Sequence, residues 1–363
     1  MLSHYYKSDL SSQTLRELGF TPAHIHRIGA FFKRYNHEKA FDRAARPSQE
    51  QLHAVLEDAV SECRNCGRNE LRDLGPIGKI NPFFLKRVLG IELRFPRSPN
   101  AMKQKVRDLV AVPMSFLSRV TSQSAFVEMQ VCNNCSFIQT SVPFHDDDIM
   151  RLYLDYRSPA YNRERIQYEP EYAAIAAAVG YDPIEVRTRT AALTAFLSKE
   201  LRTADPPTIL DYGGSDGRFI PDIPGSKFVY EISNTDPVPG VTRIKSESDL
   251  GTYSLVLLAH VTEHVPHPLN LVRKLSTYVE PGGHLYIETP QEISDKQRDE
   301  LRNGAPRFDI PIHEHINSYC VPAVAALLEA AGFAIVAIES LPVDIGWARG
   351  IHLRALGRKR LAP

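Results

Sequence analysis

An apolar strand that runs directly into a glycine-rich turn restricts the fold of this chain more than any other feature. The segment TILDYGGSDGRF occupies residues 208–219. Glycine has no Cβ, so it adopts positive φ angles easily and lets the backbone approach a ligand closely. In open α/β sheets, ligands bind at the carboxyl ends of the strands, where this turn lies. The segment therefore predicts the first strand of a Rossmann-like sheet with a ligand at its end.

The chain beyond residue 206 alternates between two kinds of segment. Short apolar runs typical of buried strands are separated by amphipathic runs typical of helices. The runs that we interpret as strands are PTILDYGG, KFVYEIS, YSLVLLAHV, GHLYIETP, AIVAIES and GIHLRALGRK. This alternation predicts an α/β fold with a mostly parallel sheet and helices on both of its faces.

Two acidic residues near the turn distinguish between classes of cofactor. Asp211 precedes Gly213 by two positions, and Glu231 ends the next strand, 20 residues after Asp211. A dinucleotide site would show the GxGxxG spacing, which this turn lacks. A carboxylate at Asp211 would repel a pyrophosphate, whereas it suits the cationic S-adenosyl-L-methionine (SAM). Since Glu231 can also accept hydrogen bonds from ribose hydroxyls, the pattern favours SAM over NAD.

These segments resemble the class I SAM-dependent methyltransferases. DYGGSDGRF is similar to their first motif, DxGxGxG, with Ser215 in place of the middle glycine. The resemblance continues in order through 230–233, 257–268, 275–290 and 314–333. It implies a Rossmann-like methyltransferase sheet. The residues that it implies in cofactor binding are Asp211, Gly213, Ser215, Gly217, Glu231 and, near the sulfonium, His260.

Four of the five cysteines form two CxxC pairs, Cys63/Cys66 and Cys132/Cys135. In a chain without an apolar leader, such pairs indicate a metal site before disulfides. Four thiolates complete the closed tetrahedron of a structural zinc site. The 65 residues between Cys66 and Cys132 exceed the spacing of compact zinc ribbons. The alternative is that these cysteines are reduced and simply buried.

Together with the downstream segments, CRNCGRNELRDLGPIG and VCNNCSFIQT resemble the N-terminal zinc-binding domain of bacterial sugar C-methyltransferases. This resemblance implies that Glu314 and His315 match a Glu-His pair near the substrate. It also implies that His264 matches a histidine after the fourth strand, so these three residues are the predicted catalytic groups. Ile312 stands where a tyrosine is usual, and Tyr156 and Tyr161 are candidates for lining the site. The alternative role for these histidines is helix capping and domain contact.

Composition and patterning divide the chain into four predicted regions. They are a helical N-terminal extension at 1–60, a zinc-binding domain with a basic insert at 61–140, a helical linker that helps to wall the substrate site at 141–205, and the SAM-binding methyltransferase domain at 206–363. The 43 basic and 43 acidic residues give no net charge. Nucleic acid and membranes are therefore not expected partners, and we expect a cytoplasmic protein.

The sequence thus predicts a SAM-dependent methyltransferase with structural Zn²⁺. Its partner would be a small-molecule substrate, with a nucleotide-linked sugar as the class that the resemblance implies. One alternative is O- or N-methylation of another metabolite or a glycan. An alternative of another kind is a zinc-ribbon binding module attached to an inactive methyltransferase scaffold.

Overall fold

A computed structural model describes residues 61–89, 125–141, 143–153, 155–201, 207–233, 235–304 and 308–361. The predicted helical extension at 1–60 and most of the basic insert between the cysteine pairs lie outside the described residues. The strands are β1 (Leu71–Ile80), β2 (Ala125–Cys132), β3 (Ile138–Thr140), β4 (Thr208–Tyr212), β5 (Ser226–Tyr230), β6 (Val241–Ile244), β7 (Tyr253–Ala259), β8 (Val279–Pro290), β9 (Ile310–Ile312), β10 (Asn317–Ser318), β11 (Phe333–Asp344) and β12 (Arg349–Lys359). The helices are α1 (Pro82–Leu89), α2 (Asp146–Tyr153), α3 (Pro159–Tyr168), α4 (Pro183–Glu200), α5 (Pro268–Ser276), α6 (Asp295–Arg302) and α7 (Val321–Ala330), with short 3₁₀ helices at Pro170–Ala174 and Glu247–Asp249.

The larger sheet has seven strands in the order β11-β12-β8-β7-β4-β5-β6. Strands β6, β5, β4, β7 and β8 are parallel, while β12 and β11 pair antiparallel at one side. Each predicted strand after residue 206 is present, which confirms the predicted α/β, Rossmann-like methyltransferase fold. The strand order reverses direction next to β4, so the crevice at its carboxyl end is the expected ligand site.

Helices cover both faces of this sheet because alternate residues of its central strands are apolar on opposite sides. On one face, Leu210 and Val256 belong to a core with side chains of α5 and α7. On the other face, Ile209 and Leu255 belong to a second core with Leu197 of α4. Helix α4 begins where Asp182 caps its first turn, accepting a hydrogen bond from the Ile184 backbone at 2.7 Å.

The smaller sheet has five strands in the order β10-β3-β2-β1-β9. Its centre comes from the cysteine-containing region, but its two outer strands come from the segment between β8 and α7. Gly78 pairs with Ile310 in parallel, and Gln139 pairs with Asn317 in antiparallel register. The division predicted between 61–140 and 206–363 therefore does not coincide with a division between sheets. None of the helices in the described part of the chain is long and apolar enough to cross a membrane.

Candidate active site

A cavity of about 1140 Å³ opens at the carboxyl ends of β4, β5, β7 and β8. Its wall includes most of the site residues predicted from the sequence: Asp211, Gly213, Ser215, Glu231, His260, His264, Glu314 and His315. Gly217 does not line the cavity. It has φ +79° and a Cβ there would lie 2.9 Å from the Val241 side chain, so its position is set by the shape of the turn.

The glycine turn is built so that the backbone itself forms the cavity wall. Gly213 has φ +76° and Ser215 has φ +55°, and the Gly213 amide donates to the Tyr230 carbonyl at 2.8 Å. A Cβ at Gly213 would lie 2.8 Å from Val261, and one at Gly214 would lie 2.1 Å from the Asp211 carboxylate. Because the neighbouring space is already filled, only glycine fits at these two positions.

Asp211 lies in this wall with an unusual electrostatic environment. It is buried, and its Oδ1 has no hydrogen-bond partner among the described residues. Burial raises the pKa of its carboxyl group to about 7, although the nearby Arg189 lowers it. A buried carboxylate oxygen without a partner is costly, and a bound ammonium group would satisfy it. The buried carboxylate of this turn therefore fits the ammonium group of SAM.

Glu231 connects the turns that follow β4 and β5. One carboxylate oxygen accepts from the Ser215 amide and the other from the Ser233 amide, each at 3.0 Å. Each oxygen keeps a second lone pair. Glu231 lines the cavity, so its position is compatible with accepting hydrogen bonds from two ribose hydroxyls.

His260 follows β7 and is held between two buried carboxylates. Its Nδ1 lies 3.2 Å from Glu263 and its Nε2 lies 3.1 Å from Glu288. His260 adopts φ +55°, which is rare for residues other than glycine. Glu288 also contacts His352 at 3.3 Å and Arg354 at 2.9 Å. Glu288 is not among the residues predicted from the sequence, although a charged residue inside the apolar run GHLYIETP is a signal that points to it.

Glu314 also lines the cavity and follows β9 in the chain. It is buried, accepts from the Tyr156 hydroxyl at 2.9 Å and the Tyr161 hydroxyl at 3.4 Å, and forms an ion pair with Arg165. Burial opposes its charge, but Arg165 and His264 lower the pKa of the carboxyl group to about 2. Glu314 is thus a permanent carboxylate with several donors. It is suited to fixing its neighbours rather than to removing a proton.

His315 and His264 are adjacent, with ring centroids 4.6 Å apart, yet their protonation differs. Burial disfavours charge on His315, but Glu292, 2.5 Å from its Nδ1, raises its pKa to about 9. Burial lowers the pKa of His264 to about 4. At neutral pH, His315 is therefore a cation and His264 is neutral.

The hydrogen bonds of His264 indicate which of its nitrogens carries the proton. Its Nδ1 lies 3.1 Å from the Glu314 carbonyl and 2.7 Å from the Tyr153 hydroxyl. A carbonyl oxygen only accepts, so we assign the proton to Nδ1. The lone pair then lies on Nε2, whose neighbour Glu263 is 3.9 Å away. Sequence reasoning did not identify Tyr153 or Glu292, because their contacts with these histidines join distant parts of the chain.

The four predicted zinc ligands lie together in what we call the cysteine module, residues 61–80 and 125–141. The Sγ atoms of Cys63, Cys66, Cys132 and Cys135 all lie within 4.8 Å of one another. Two of the separations are 3.8 Å and 3.7 Å, close to the edge of about 3.8 Å expected for a tetrahedron with Zn–S bonds of about 2.3 Å. The two turns match, with Gly67 at φ +74° and Ser136 at φ +61°. The donor set therefore fits one zinc ion, while Cys320 is buried outside it.

Sequence comparisons match parts of this chain to known proteins. Residues 184–338 match the sequence family described as "Methyltransferase domain". A segment of 39 residues is 44% identical to the ubiquinone biosynthesis O-methyltransferase of Vibrio parahaemolyticus, and it covers 11% of this chain and 17% of that enzyme.

Solved structures of similar fold include two methyltransferases. One is the 1,6-didemethyltoxoflavin-N1-methyltransferase of Burkholderia thailandensis, with 19% identity, a TM-score of 0.37 and coverage of 54% of this chain and 87% of that one. Another is a possible histamine N-methyltransferase of Thermotoga maritima, with 14% identity, a TM-score of 0.36 and coverage of 57% and 100%. Residues 184–338 of this chain are therefore similar in sequence to a methyltransferase domain.

Proposed function

We propose that this protein transfers a methyl group from SAM to a small-molecule acceptor bound in the cavity. The observation that carries the proposal is the unpartnered, buried Oδ1 of Asp211 beside a glycine turn that leaves no room for side chains. That arrangement supplies an anion for the SAM ammonium group, with Glu231 for the ribose. The cavity of about 1140 Å³ has room for a second ligand beside the cofactor.

SAM supplies an activated methyl group on a sulfonium, which is already a good leaving group. The residues of the chain then have two tasks: aligning the acceptor and managing its proton. We propose that His264 Nε2 accepts the acceptor's proton. The His315 cation, fixed by Glu292, would stabilise negative charge that develops on the acceptor. Glu314 would hold Tyr156 and Tyr161 in place.

His264, Glu314 and His315 are the three catalytic residues predicted from the sequence, but their proposed roles differ from that prediction. The resemblance places the pair Glu314 and His315 near the substrate, which makes that pair the first candidate for the base. The low pKa of Glu314 and the high pKa of His315 favour His264 instead. A built-in base is most useful when the attacked atom carries a tightly held proton. We propose a carbon acid or a hydroxyl as the acceptor, whose proton His264 would take.

Among such acceptors we propose a nucleotide-linked sugar, methylated at carbon. One support is the resemblance of the cysteine module to the zinc-binding domain of sugar C-methyltransferases. The other is that β1 and β3 of this module pair with β9 and β10, the strands on either side of Glu314 and His315. O- or N-methylation of another metabolite or a glycan is the second candidate. The candidate of a different class is an inactive scaffold, which would bind SAM without turnover.

We further propose that Cys63, Cys66, Cys132 and Cys135 hold one structural Zn²⁺. A site closed by four thiolates leaves no position for water or substrate. The proposed metal therefore stabilises the smaller sheet and takes no part in the methyl transfer.

An untargeted metabolite comparison between a deletion strain and its parent tests the function. We expect a methylated metabolite to disappear and its precursor, lighter by one methyl group, to accumulate. The purified protein should then methylate that precursor with labelled SAM. Binding of S-adenosylhomocysteine (SAH) without any metabolite change would favour the scaffold, and failure to bind SAM or SAH would contradict the proposal altogether.

A further inference from the structure

Five lysine and arginine side chains line the cavity, and one of them differs from the others. Four form ion pairs with carboxylates: Arg165 with Glu169 at 2.9 Å, Arg189 with Glu185 at 3.1 Å, Lys274 with Glu247 at 2.6 Å and Arg349 with Asp344 at 2.7 Å. Arg157 forms no ion pair with any carboxylate in the described ranges. Its Nε is buried there without a hydrogen-bond partner. A buried cationic donor without a partner is costly unless a ligand supplies one.

The guanidinium of Arg157 is held in a defined place. Its Cζ lies 4.7 Å from the centroid of the Tyr156 ring, over which it stacks. The Tyr156 hydroxyl donates to Glu314 at 2.9 Å. Tyr156 therefore links Arg157 to Glu314, near which we place the acceptor. Glu314 forms its ion pair with Arg165, and it favours the charged form of Arg157 only from beyond ion-pair distance.

Two backbone features lie beside this guanidinium. Gly180 has φ +76°, and a Cβ there would lie 2.1 Å from Nη1 of Arg157. The guanidinium thus occupies the space beside Gly180, where the positive φ favours glycine. Arg157 itself has φ +60°. Left-handed backbone at a residue with a long side chain costs free energy, and such strain is concentrated at ligand-binding positions.

We propose that Arg157 binds an anionic group of a ligand in this cavity, a carboxylate or a phosphate. Its planar fork of donors matches either group in a bidentate geometry. The anion has two possible sources under the proposed function, on which this inference rests. One is the carboxylate of the methionyl part of the cofactor, and the other is a charged group of the acceptor.

Isothermal titration calorimetry with full-length wild type and Arg157→Gln separates these sources. The first arm compares SAH with decarboxylated SAH, which keeps the amine and lacks the carboxylate. The second arm titrates inorganic pyrophosphate, and separately malonate, into the SAH-saturated protein. Arg349→Gln is the matched control, because Arg349 lines the same cavity but is paired with the exposed Asp344.

If the cofactor supplies the anion, Arg157→Gln weakens SAH binding about tenfold or more, the scale of a charge-assisted hydrogen bond, and leaves decarboxylated SAH unaffected. If the acceptor supplies it, SAH affinity is unchanged and the binding of pyrophosphate or malonate is lost. Either result supports the proposal, provided that Arg349→Gln behaves like wild type. Equal affinities of Arg157→Gln and wild type for every probe would overturn it.

The same titrations keep this inference apart from the proposed function. Wild-type protein that binds pyrophosphate through Arg157 but does not bind SAH would contradict the methyltransferase proposal alone. Wild-type protein that binds SAH with no contribution from Arg157, and binds no anion probe, would contradict the Arg157 inference alone. A thermal melt of each variant confirms that it is folded before its affinities are compared.

Discussion

At the scale of single residues, the charge of Asp211 depends on pH within the neutral range. Its carboxyl pKa of about 7 means that the unliganded site is partly protonated near neutrality. Only the ionised form attracts the SAM ammonium group, so we expect SAH affinity to rise with pH and to level off above about 7. Asp211→Asn should weaken binding by roughly 1.5–3 kcal/mol and remove this pH dependence.

Calorimetry at several pH values measures this effect. Asp216→Asn is the control, because this second aspartate of the turn pairs with Arg218 and does not line the cavity. If SAH affinity of wild type were constant with pH and that of Asp211→Asn were undiminished, the assignment of the ammonium site would be wrong.

His264 and His315 should define the pH dependence of turnover. At saturating SAM and acceptor, kcat should rise through pH about 4 as His264 loses its proton. It should fall through pH about 9 as His315 loses its own. His264→Gln should lower kcat roughly 10²–10⁴-fold and abolish the acid limb, with SAH affinity nearly unchanged.

His313→Gln is the matched control for His264: His313 also lines the cavity, but its ion pair is with Glu292, at 3.6 Å, and its ring packs against His315 with centroids 4.7 Å apart. A His264→Gln enzyme within a few fold of wild type would remove His264 from the reaction. If SAH affinity fell together with the rate, the residue would belong to the cofactor site instead.

At the scale of elements, Asn317 of β10 joins the two loops that carry the candidate catalytic groups. It is buried, and its side-chain amide donates to the carbonyls of Thr262 and Val265 at 3.0 and 2.7 Å. Asn317→Leu leaves both carbonyls without this donor, so we expect the free energy of unfolding to fall on the order of 1–3 kcal/mol. Asn133→Ala, at an exposed turn residue, should leave it unchanged. Urea denaturation of both variants measures the difference; equal midpoints would show that this contact contributes nothing.

The elements of the larger sheet could be predicted because their apolar runs are long and regular. The run YSLVLLAHV became β7, and the last two predicted strands became the antiparallel pair β11 and β12. Strands β9 and β10 have three and two residues. Such short segments carry no periodicity, and only their pairing with β1 and β3 makes them strands. Pairing over this distance along the chain is not visible in a local pattern.

In the candidate site, too, features that depend on residues close in sequence were predictable, and features that depend on residues far apart in the chain were not. The glycine turn and its acids are close in sequence, so their arrangement after β4 and β5 was predictable. The protonation of His264 and His315 was not, because it depends on burial and on Glu292. Tyr153 hydrogen-bonds to His264 across 111 positions of the chain. No pattern near either residue contains that contact.

At the scale of the whole molecule, loss of the proposed zinc from the cysteine module should also affect the acceptor side of the cavity. His313–His315 lies between β9 and β10, which are both held by the smaller sheet. Cys63→Ser should remove the proposed zinc and lower the free energy of unfolding on the order of 4 kcal/mol or more, the scale typical of a lost structural metal. In protein that remains folded, turnover should fall more than SAH affinity, since the glycine turn belongs to the other sheet.

Elemental analysis, thermal denaturation and SAH titration measure these three quantities. Cys320→Ser is the matched control, because Cys320 is also buried but lies outside the four-cysteine cluster. Finding no zinc in wild-type protein expressed with ample zinc would exclude the structural metal. A Cys63→Ser protein as stable as the control would show that the cluster needs no metal.

The pairing of β9 and β10 with the smaller sheet also matters for recombination. Exchanging the cysteine module between relatives to alter substrate range would place β1 and β3 of another protein beside Ile310–Ile312 and Asn317–Ser318. The two segments must therefore match in backbone register before the graft can affect which acceptor is used. Successful exchanges should be those that transfer residues 308–320 together with the cysteine module. The exchanged unit then consists of two stretches that are separate in the gene.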